Sequence, residues 1–328
     1  MTAQPGEGLR PTIGVVVVSY NSGHVLAECL GSLKDSSIPV VVVDNASSDD
    51  TCDIARRFPV TLIANRENRG FAAAVNQGFA HLETPLVLLL NPDVVLNRSP
   101  AFLEAEFLDE RVGAAVATLL ESDGSPQHTF QFRRFPTPWT LLFENLGINR
   151  VFPSNRVNRR YRYADEKWSE ARMVEQPAGA YLLIRHAAWK QVGGFDEHYW
   201  PLWFEDVDFC LRLARNQFLV RYVPAIAGVH SGGHSIHPME PSLRQLYWYR
   251  SLLQFAAKHF SDLWVRTIAL SVALSAMGKA LLMLAPSGKF QKFRIFKPTA
   301  MLGFQTMLHG RPPSIGPRPQ SWVSGDQT

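Results

Sequence analysis

A chain of 328 residues can bury a large core and could hold one big domain or two modest ones. Hydrophobic residues at 46% and charged ones at 19% exclude a disordered protein, and a net charge of +4 is too mild to imply a nucleic-acid partner. Cys29, Cys52 and Cys210 form neither a CxxC motif nor a disulfide framework, which fits a reducing cytosol, and no apolar core behind basic residues at the N-terminus points to export.

Ile13–Ser19 is rich in β-branched residues and predicts a buried strand. Val25, Leu26, Cys29, Leu30 and Leu33 then recur at helical intervals over His24–Leu33. A second strand, Val40–Val43, runs into Asp44-Asn45-Ala46-Ser47-Ser48-Asp49, where a Ser or Asp can cap a helix through Ile54, Ala55 and Phe58. Val60–Ala64 predicts a third strand and Phe71–Leu82 a helix. Leu86–Leu90 is wholly apolar, as in a strand buried on both faces of a parallel sheet. It stops at Asn91-Pro92-Asp93, where proline ends the ladder and leaves a carboxylate at the carboxyl edge of the sheet. Open α/β sheets bind ligands at that edge, so Asp93 implies a cation and the anionic ligand it carries. Alternating strands and helices predict an α/β fold with a mainly parallel, doubly wound sheet and right-handed crossovers.

From Phe130 to Trp168 the chain is rich in Arg and aromatics, contains Pro136, Pro138 and Pro153, and is poorly periodic; it reads as an insertion or mobile flap over the sheet edge. Pro177–Ile184 predicts a strand, Ala187–Val192 a helix, and Asp206–Asn216 an amphipathic helix with Val207, Cys210, Leu211 and Leu213 inward. A strand over Leu219–Pro224 and helical patterns over Leu243–His259 and Leu263–Leu284 follow. Leu263–Leu284 is broken by Arg266 and Lys279, too short a clean run to span a bilayer. With Lys289, Lys292, Arg294 and Lys297 it reads as a helix on an anionic membrane surface, or as an ordinary core or homodimer-interface helix before a basic loop. After His309 a Pro-, Gly- and Ser-rich stretch reads as a frayed tail.

The turn after the first strand, Ser19-Tyr20-Asn21-Ser22-Gly23, lacks the G-x-G-x-x-G of a dinucleotide site, and no P-loop occurs, so phosphates must be held by a metal and side chains. Six motifs then stand in order: VVVVSYNS at Val15–Ser22, VDNASSDDT at Val43–Thr51, NRGFAAAVNQG at Asn68–Gly78, NPDV at Asn91–Val94, GGFDE at Gly193–Glu197 and FEDVDFCLRL at Phe204–Leu213. Over Ile13–His259 the chain resembles family 2 glycosyltransferases of the GT-A fold, in their bacterial rhamnosyltransferase-like branch.

The resemblance implies a domain at 13–260, with a nucleotide-binding half at 13–125 and an acceptor and catalytic half at 126–260. Tails at 1–12 and 309–328 and a helical, membrane-surface extension at 261–308 complete the expected organisation. It implies that Tyr20, Asn21, Asp44, Asn45, Arg69, Gly70, Asn91 and Asp93 face a dTDP- or UDP-sugar. Asp44 would accept from the imide N–H of the base, or serve as a turn or helix cap; Arg69 would pair with phosphates, and Asn76 would anchor its helix. Asp93, with Asn91 where the family's D-x-D motif usually begins, would bind Mg²⁺ or Mn²⁺, and His230, chosen over His234 and His237, would complete the shell. By the same resemblance Asp206 is the base of an inverting transfer and Glu205 positions the acceptor, with their roles open to exchange, while Trp203 offers a flat face to a sugar. Asp208 reads as a helix-surface or supporting carboxylate. The implied reaction moves a sugar, L-rhamnose from dTDP-rhamnose, onto a glycan or polyprenyl-linked glycan at the inner face of the plasma membrane. The alternatives are a nucleotide-sugar pyrophosphorylase, whose Gly-rich signature loop is absent here, and a catalytically silent glycan-binding or scaffold subunit.

Overall fold

A computed structural model describes residues 12–33, 37–232, 239–284 and 293–314. The first third alternates β1 (Ile13–Ser19), α1 (Gly23–Gly31), β2 (Val40–Asp44), α2 (Thr51–Ala55), β3 (Thr61–Ala64), α3 (Phe71–Ala80) and β4 (Leu86–Leu90). Then come β5 (Val94–Leu96), a 3₁₀ helix (Pro100–Leu108), β6 (Val112–Leu120), α4 (His128–Gln131), β7 (Phe132–Arg133), α5 (Pro138–Asn145), α6 (Ile148–Val151) and α7 (Arg156–Tyr161). The remainder is β8 (Arg172–Val174), β9 (Gln176–Pro177), β10 (Tyr181–Arg185), α8 (His186–Val192), α9 (Glu205–Arg215), β11 (Leu219–His230), α10 (Pro241–His259), α11 (Asp262–Leu284) and α12 (Phe293–His309).

One mixed sheet runs β3-β2-β1-β4-β10-β6-β11-β5, with β8 alongside β11. Its first four strands are parallel. β10 enters antiparallel between β4 and β6, so the sheet is continuous through both expected halves of the domain. Alternation along β1 explains the layers: Val15 and Val17 pack with Leu26 and Leu30 of α1, while Val16 and Val18 pack with Val75 and Phe79 of α3 on the opposite face. Each such Val or Leu taken fully from water stabilises the fold by roughly 1.5–3 kcal/mol. α3 can come this close only because Gly78 faces β1; a Cβ there would lie 2.4 Å from Val16 Cγ1. All of this carries the carboxyl ends of β1, β2 and β4 to one edge.

Four expectations are corrected. The helix expected through Phe58 stops at Ala55, and its N-cap, Asp50, makes no side-chain cap bond; Asp49 instead accepts from the Thr51 amide. The strand expected from Pro177 begins only at Tyr181, because Gly179 turns its amide toward Asp206. The strand from Leu219 continues to His230 past Pro224, through register shifts between Val223 and Gly228. The poorly periodic insertion holds short capped helices: Pro138 starts α5 behind a Thr137–Thr140 capping box, and Asn155 caps α7. Phe132 and Trp168 stack at 4.4 Å in the core against Tyr222. Local caps and an aromatic stack give no periodic signal, which is why the sequence reads as irregular.

The C-terminal helices bury Val265, Ile268, Ala269, Val272, Ala273 and Ala276 of α11, and expose Leu263, Leu270, Leu274, Met277 and Leu281 on its other face. No helix among the described residues is long and apolar enough to cross a membrane. Lys289 and Lys292 lie outside the described residues. Of the expected tail, residues 310–314 are described, and Arg250 Nε donates to the Pro313 carbonyl at 3.3 Å.

Candidate active site

Two loops at the edge of β1 and β2 gather the first set of expected residues. Asp44, 2% exposed, is bonded by Ser19 Oγ at 3.3 Å, by the Ser47 hydroxyl at 2.5 Å and by the Ser47 amide at 3.0 Å. The Cys52 thiol donates to it as well; burial, and then that bond, push Cys52 up to about 11. Asn21 accepts from the Ser48 amide at 2.8 Å, and Tyr20 stands exposed beside it. Asn45 donates to Asn68 Oδ1 at 3.0 Å and accepts from the Arg69 amide at 3.0 Å, fixing the Asn68-Arg69-Gly70 turn. Gly70 has φ 87°, and a Cβ there would meet the Trp200 ring at 2.8 Å, so both conformation and space require glycine. This cluster is largely self-bonded: Asp44 and Asn45 hold the turns that present Tyr20 and Arg69.

At the end of β4, Pro92 breaks the strand and buries Asp93 against β11. Asp93 Oδ1 has no hydrogen-bond partner among the described residues and lies 3.4 Å from His230 Nε2. Gln127 settles the imidazole. Its Nε2 donates to the His230 carbonyl at 2.7 Å, leaving Oε1 to accept from Nδ1 at 2.9 Å. In the neutral ring, then, Nδ1 carries the hydrogen and the Nε2 lone pair faces Asp93. Two acceptors turned toward each other in a buried place call for a cation or a proton between them. No group of three His, Cys, Asp or Glu gathers around a metal-sized site among the described residues, so a bound ligand would have to supply further oxygens. His234 and His237 lie outside the described residues.

The third set lines a cavity of about 420 Å³. Asn91, Trp203, Glu205 and Asp206 are brought together there, with Gly179, Arg133, Tyr161 and Trp248. Trp203 and Phe204 have φ of 77° and 69°, a rare region for aromatic residues. That kink ends the preceding segment and starts α9 at Glu205. Glu205 is buried, and its Oε2 has no partner among the described residues. Burial, and then the charge of Asp206, push its carboxyl well above the usual range. Asp206 is also raised by burial, but less freely, because its carboxylate accepts from the Val207 amide at 2.8 Å and the Gly179 amide at 3.2 Å. The environment therefore divides the pair. Glu205 is pushed the further toward its protonated form, while Asp206, supported by two N–H donors, is the readier of the two to ionise.

Beneath them, Asp208 is not on the helix surface as one expectation had it; it is fully buried. It binds His259 Nε2 at 2.7 Å, Arg212 Nε at 2.7 Å and Lys258 Nζ at 2.8 Å, tying α9 to α10. Asn76 anchors α3 to the Gly193–Glu197 segment: it donates to the Phe195 carbonyl and accepts from the Phe195 amide, both at 2.8 Å. Sequence reasoning missed Arg133, Tyr161, Trp248 and Gln127, each alone in its segment. Only the Arg- and aromatic-rich composition of 130–168 hinted at the first two.

A family model described as glycosyl transferase family 2 matches residues 14–171, and one described as the N-terminal domain of galactosyltransferase matches 159–235. The N-acetylglucosaminyl-diphospho-decaprenol L-rhamnosyltransferase of Mycobacterium tuberculosis (strain ATCC 25618 / H37Rv) is 30% identical over 276 residues, 78% of this chain and 87% of that protein. Rhamnosyltransferase WbbL of Escherichia coli (strain K12) is 23% identical over 231 residues, 67% of this chain and 83% of its own. Among solved structures, the mannosyltransferase PcManGT from Pyrobaculum calidifontis, in complex with GDP-Man and Mn²⁺, has a TM-score of 0.50 at 15% identity, covering 93% of this chain and 89% of its own. That last likeness concerns the fold.

Proposed function

From the premise that this chain belongs to glycosyl transferase family 2, in its rhamnosyltransferase-like branch with the GT-A fold, we propose that it transfers L-rhamnose from dTDP-rhamnose, with inversion, to a prenyl-diphosphate-linked sugar. The acceptor class is supported by the name of the mycobacterial relative, which acts on N-acetylglucosaminyl-diphospho-decaprenol, and the work would be done at the inner face of the plasma membrane, with the outward row of α11 against lipid. The observation that carries the chemistry is the divided pair: a buried Glu205 with no partner on Oε2 beside an Asp206 that accepts from two backbone amides, opening on one cavity with Trp203 and Trp248.

In this reading the acceptor sugar lies on the Trp203 and Trp248 rings, and the Glu205 carboxyl donates a hydrogen bond that orients it. Asp206 takes the proton of the attacking hydroxyl, which approaches the anomeric carbon from the face opposite the departing dTDP. The base of the nucleotide sits at the Tyr20–Asn21 and Ser47–Ser48 edge. Its imide N–H reaches Asp44 by displacing the weakest donor there, the Cys52 thiol. Arg69 pairs with phosphate. Asp93 and His230 fit a divalent cation, Mg²⁺ or Mn²⁺, because each turns an unshared acceptor toward the other in a buried space; such an ion supplies charge neutralisation for the leaving diphosphate. Asn91 lines the cavity nearby without adding charge.

The test is a thermal-shift screen of nucleotide sugars with Mn²⁺, followed by turnover of the donor that binds. Selective stabilisation by dTDP-rhamnose is expected. A response only to UDP- or GDP-sugars would overturn the donor assignment, and no nucleotide response at all would overturn the transferase reading.

A further inference from the structure

The positive charge of this chain is concentrated in one segment. Residues 133–172 hold nine basic and four acidic side chains, a net +5 against +4 for the whole chain. Within it, Arg134, Arg156, Arg159 and Arg160 line a cavity of about 430 Å³ separate from the catalytic one. Arg134 is neutralised by Glu166 and Glu175, and Arg159 by Asp165. Arg156 and Arg160 are exposed and form no ion pair among the described residues.

Directly before this pocket in the chain stand Val151 and Phe152, 70% and 65% exposed. α5 is tied to α11 by Asn145 Nδ2 donating to Ser271 Oγ at 3.1 Å. The exposed Leu146 and Leu274 stand one and three residues along the chain from the two partners of that bond. The two cavities are also lined by residues adjacent in the chain. Arg133 and Tyr161 line the catalytic cavity, and their chain neighbours Arg134 and Arg160 line the arginine pocket. Neighbouring Cα atoms are only ~3.8 Å apart.

Arginines around a hollow, with apolar side chains at its rim, complement an amphiphile that has a phosphate head and a hydrocarbon tail. We propose that the arginine pocket takes the diphosphate of a prenyl-diphosphate-linked acceptor. Its sugar reaches past the Arg133–Arg134 and Arg160–Tyr161 neighbours toward Asp206, and Val151 and Phe152 enter the lipid. This rests on the acceptor reading above.

Co-sedimentation of the full chain with phosphatidylcholine vesicles carrying a few mole per cent of undecaprenyl diphosphate tests it, against vesicles matched in charge with phosphatidylglycerol. The chain is expected to prefer the diphosphate vesicles. R156Q/R160Q should bind them about tenfold more weakly, which is ~1.4 kcal/mol, and V151S/F152S should weaken binding to both vesicle types. Thermal melts followed by circular dichroism establish that both variants fold. Equal binding to the two vesicle types, or unchanged binding by R156Q/R160Q, would overturn the proposal. So would a dimer held by this face, seen by sedimentation velocity and abolished by V151S/F152S. Vesicle binding needs no donor, so a response only to other nucleotide sugars with intact diphosphate preference sinks the donor assignment alone, while selective dTDP-rhamnose stabilisation without diphosphate preference sinks the pocket alone.

Discussion

Asp208 is the residue whose loss should be felt most widely. It is fully buried, with Arg212 Nε, Lys258 Nζ and His259 Nε2 within 2.8 Å of its carboxylate and the Tyr199 hydroxyl at 3.3 Å. Asp208→Asn preserves its shape and removes its charge, leaving two obligate cations facing a neutral amide. Removing one partner of a buried pair costs about 3–5 kcal/mol. The Lys258 side chain keeps 30% exposure and can recover hydration, so the low end, about 3 kcal/mol, is expected. For 328 residues, an unfolding entropy of about 2.1 cal/mol/K per residue makes each kcal/mol worth about 1.5 °C, so the melt should fall by roughly 4–5 °C. The sign of the pH dependence is equally specific. Burial works against ionisation of Asp208, but His259, Arg212 and Lys258 outweigh it and hold the carboxyl far below the usual range. A depressed folded value contributes stability above the unfolded value of about 3.9, and that stability is lost as pH falls toward the folded one. Scanning calorimetry of wild type and variant from pH 7 down to pH 3 should therefore show the gap closing on acidification. A loss under 1 kcal/mol at pH 7, or a gap that stays constant with pH, would refute the account.

Two further outcomes concern the chemistry. Asp206→Asn should lower kcat by about 10²–10⁴ with donor stabilisation unchanged, whereas Glu205→Gln, an isostere of a protonated glutamate, should cost far less; steady-state kinetics that find the two equal would exchange or merge their roles. In the same assay the acid limb of kcat should lie above the ordinary carboxylate range, because Asp206 must lose its proton and its folded value is raised. For stability the sign is opposite to that of Asp208: raised carboxyls favour the fold below their unfolded values, and this is lost as pH rises through the folded ones. Asp93→Asn and His230→Ala should each weaken the Mn²⁺-dependent part of dTDP binding by about 10–100-fold, read by calorimetric titration with and without the ion. Metal dependence identical to wild type would remove these two residues from the ion site.

What could be read from the chain is what periodicity and strand-end chemistry encode. Buried runs such as Leu86–Leu90 have a single use, and the breaks after them are local, so β1 to β4 and the residues at their ends were found. The antiparallel insertion of β10 between β4 and β6 is a long-range choice that no window of residues records. The ordering of the insertion depends on Phe132, Trp168 and Tyr222 meeting from three distant segments. Asp44 shows the limit in the other direction. A strand-end carboxylate can serve as ligand or as turn anchor, and only the surrounding Ser19, Ser47 and Cys52 reveal how completely its lone pairs are already engaged.

The run Trp203-Phe204-Glu205-Asp206 shows how the chain sets up the roles proposed for the pair. Two successive aromatic residues at positive φ cost of order 1–3 kcal/mol each, and such strain persists only where the surroundings over-determine it. Here the surroundings are evident: Phe204 is wedged against Trp248 and Phe255, the Ser251 hydroxyl donates to the Leu202 carbonyl, and Asp208 pins the helix that follows. An unstrained entry would start α9 without the kink that sets Glu205 and Asp206 on the cavity wall. With it, Glu205 is buried without a partner on Oε2 while Asp206 meets the Gly179 amide, the asymmetry on which the proposed division into proton holder and base rests. The Asp208 network and the strained turn are thus two parts of one device: the first anchors the helix, and the second aims its first two carboxyls.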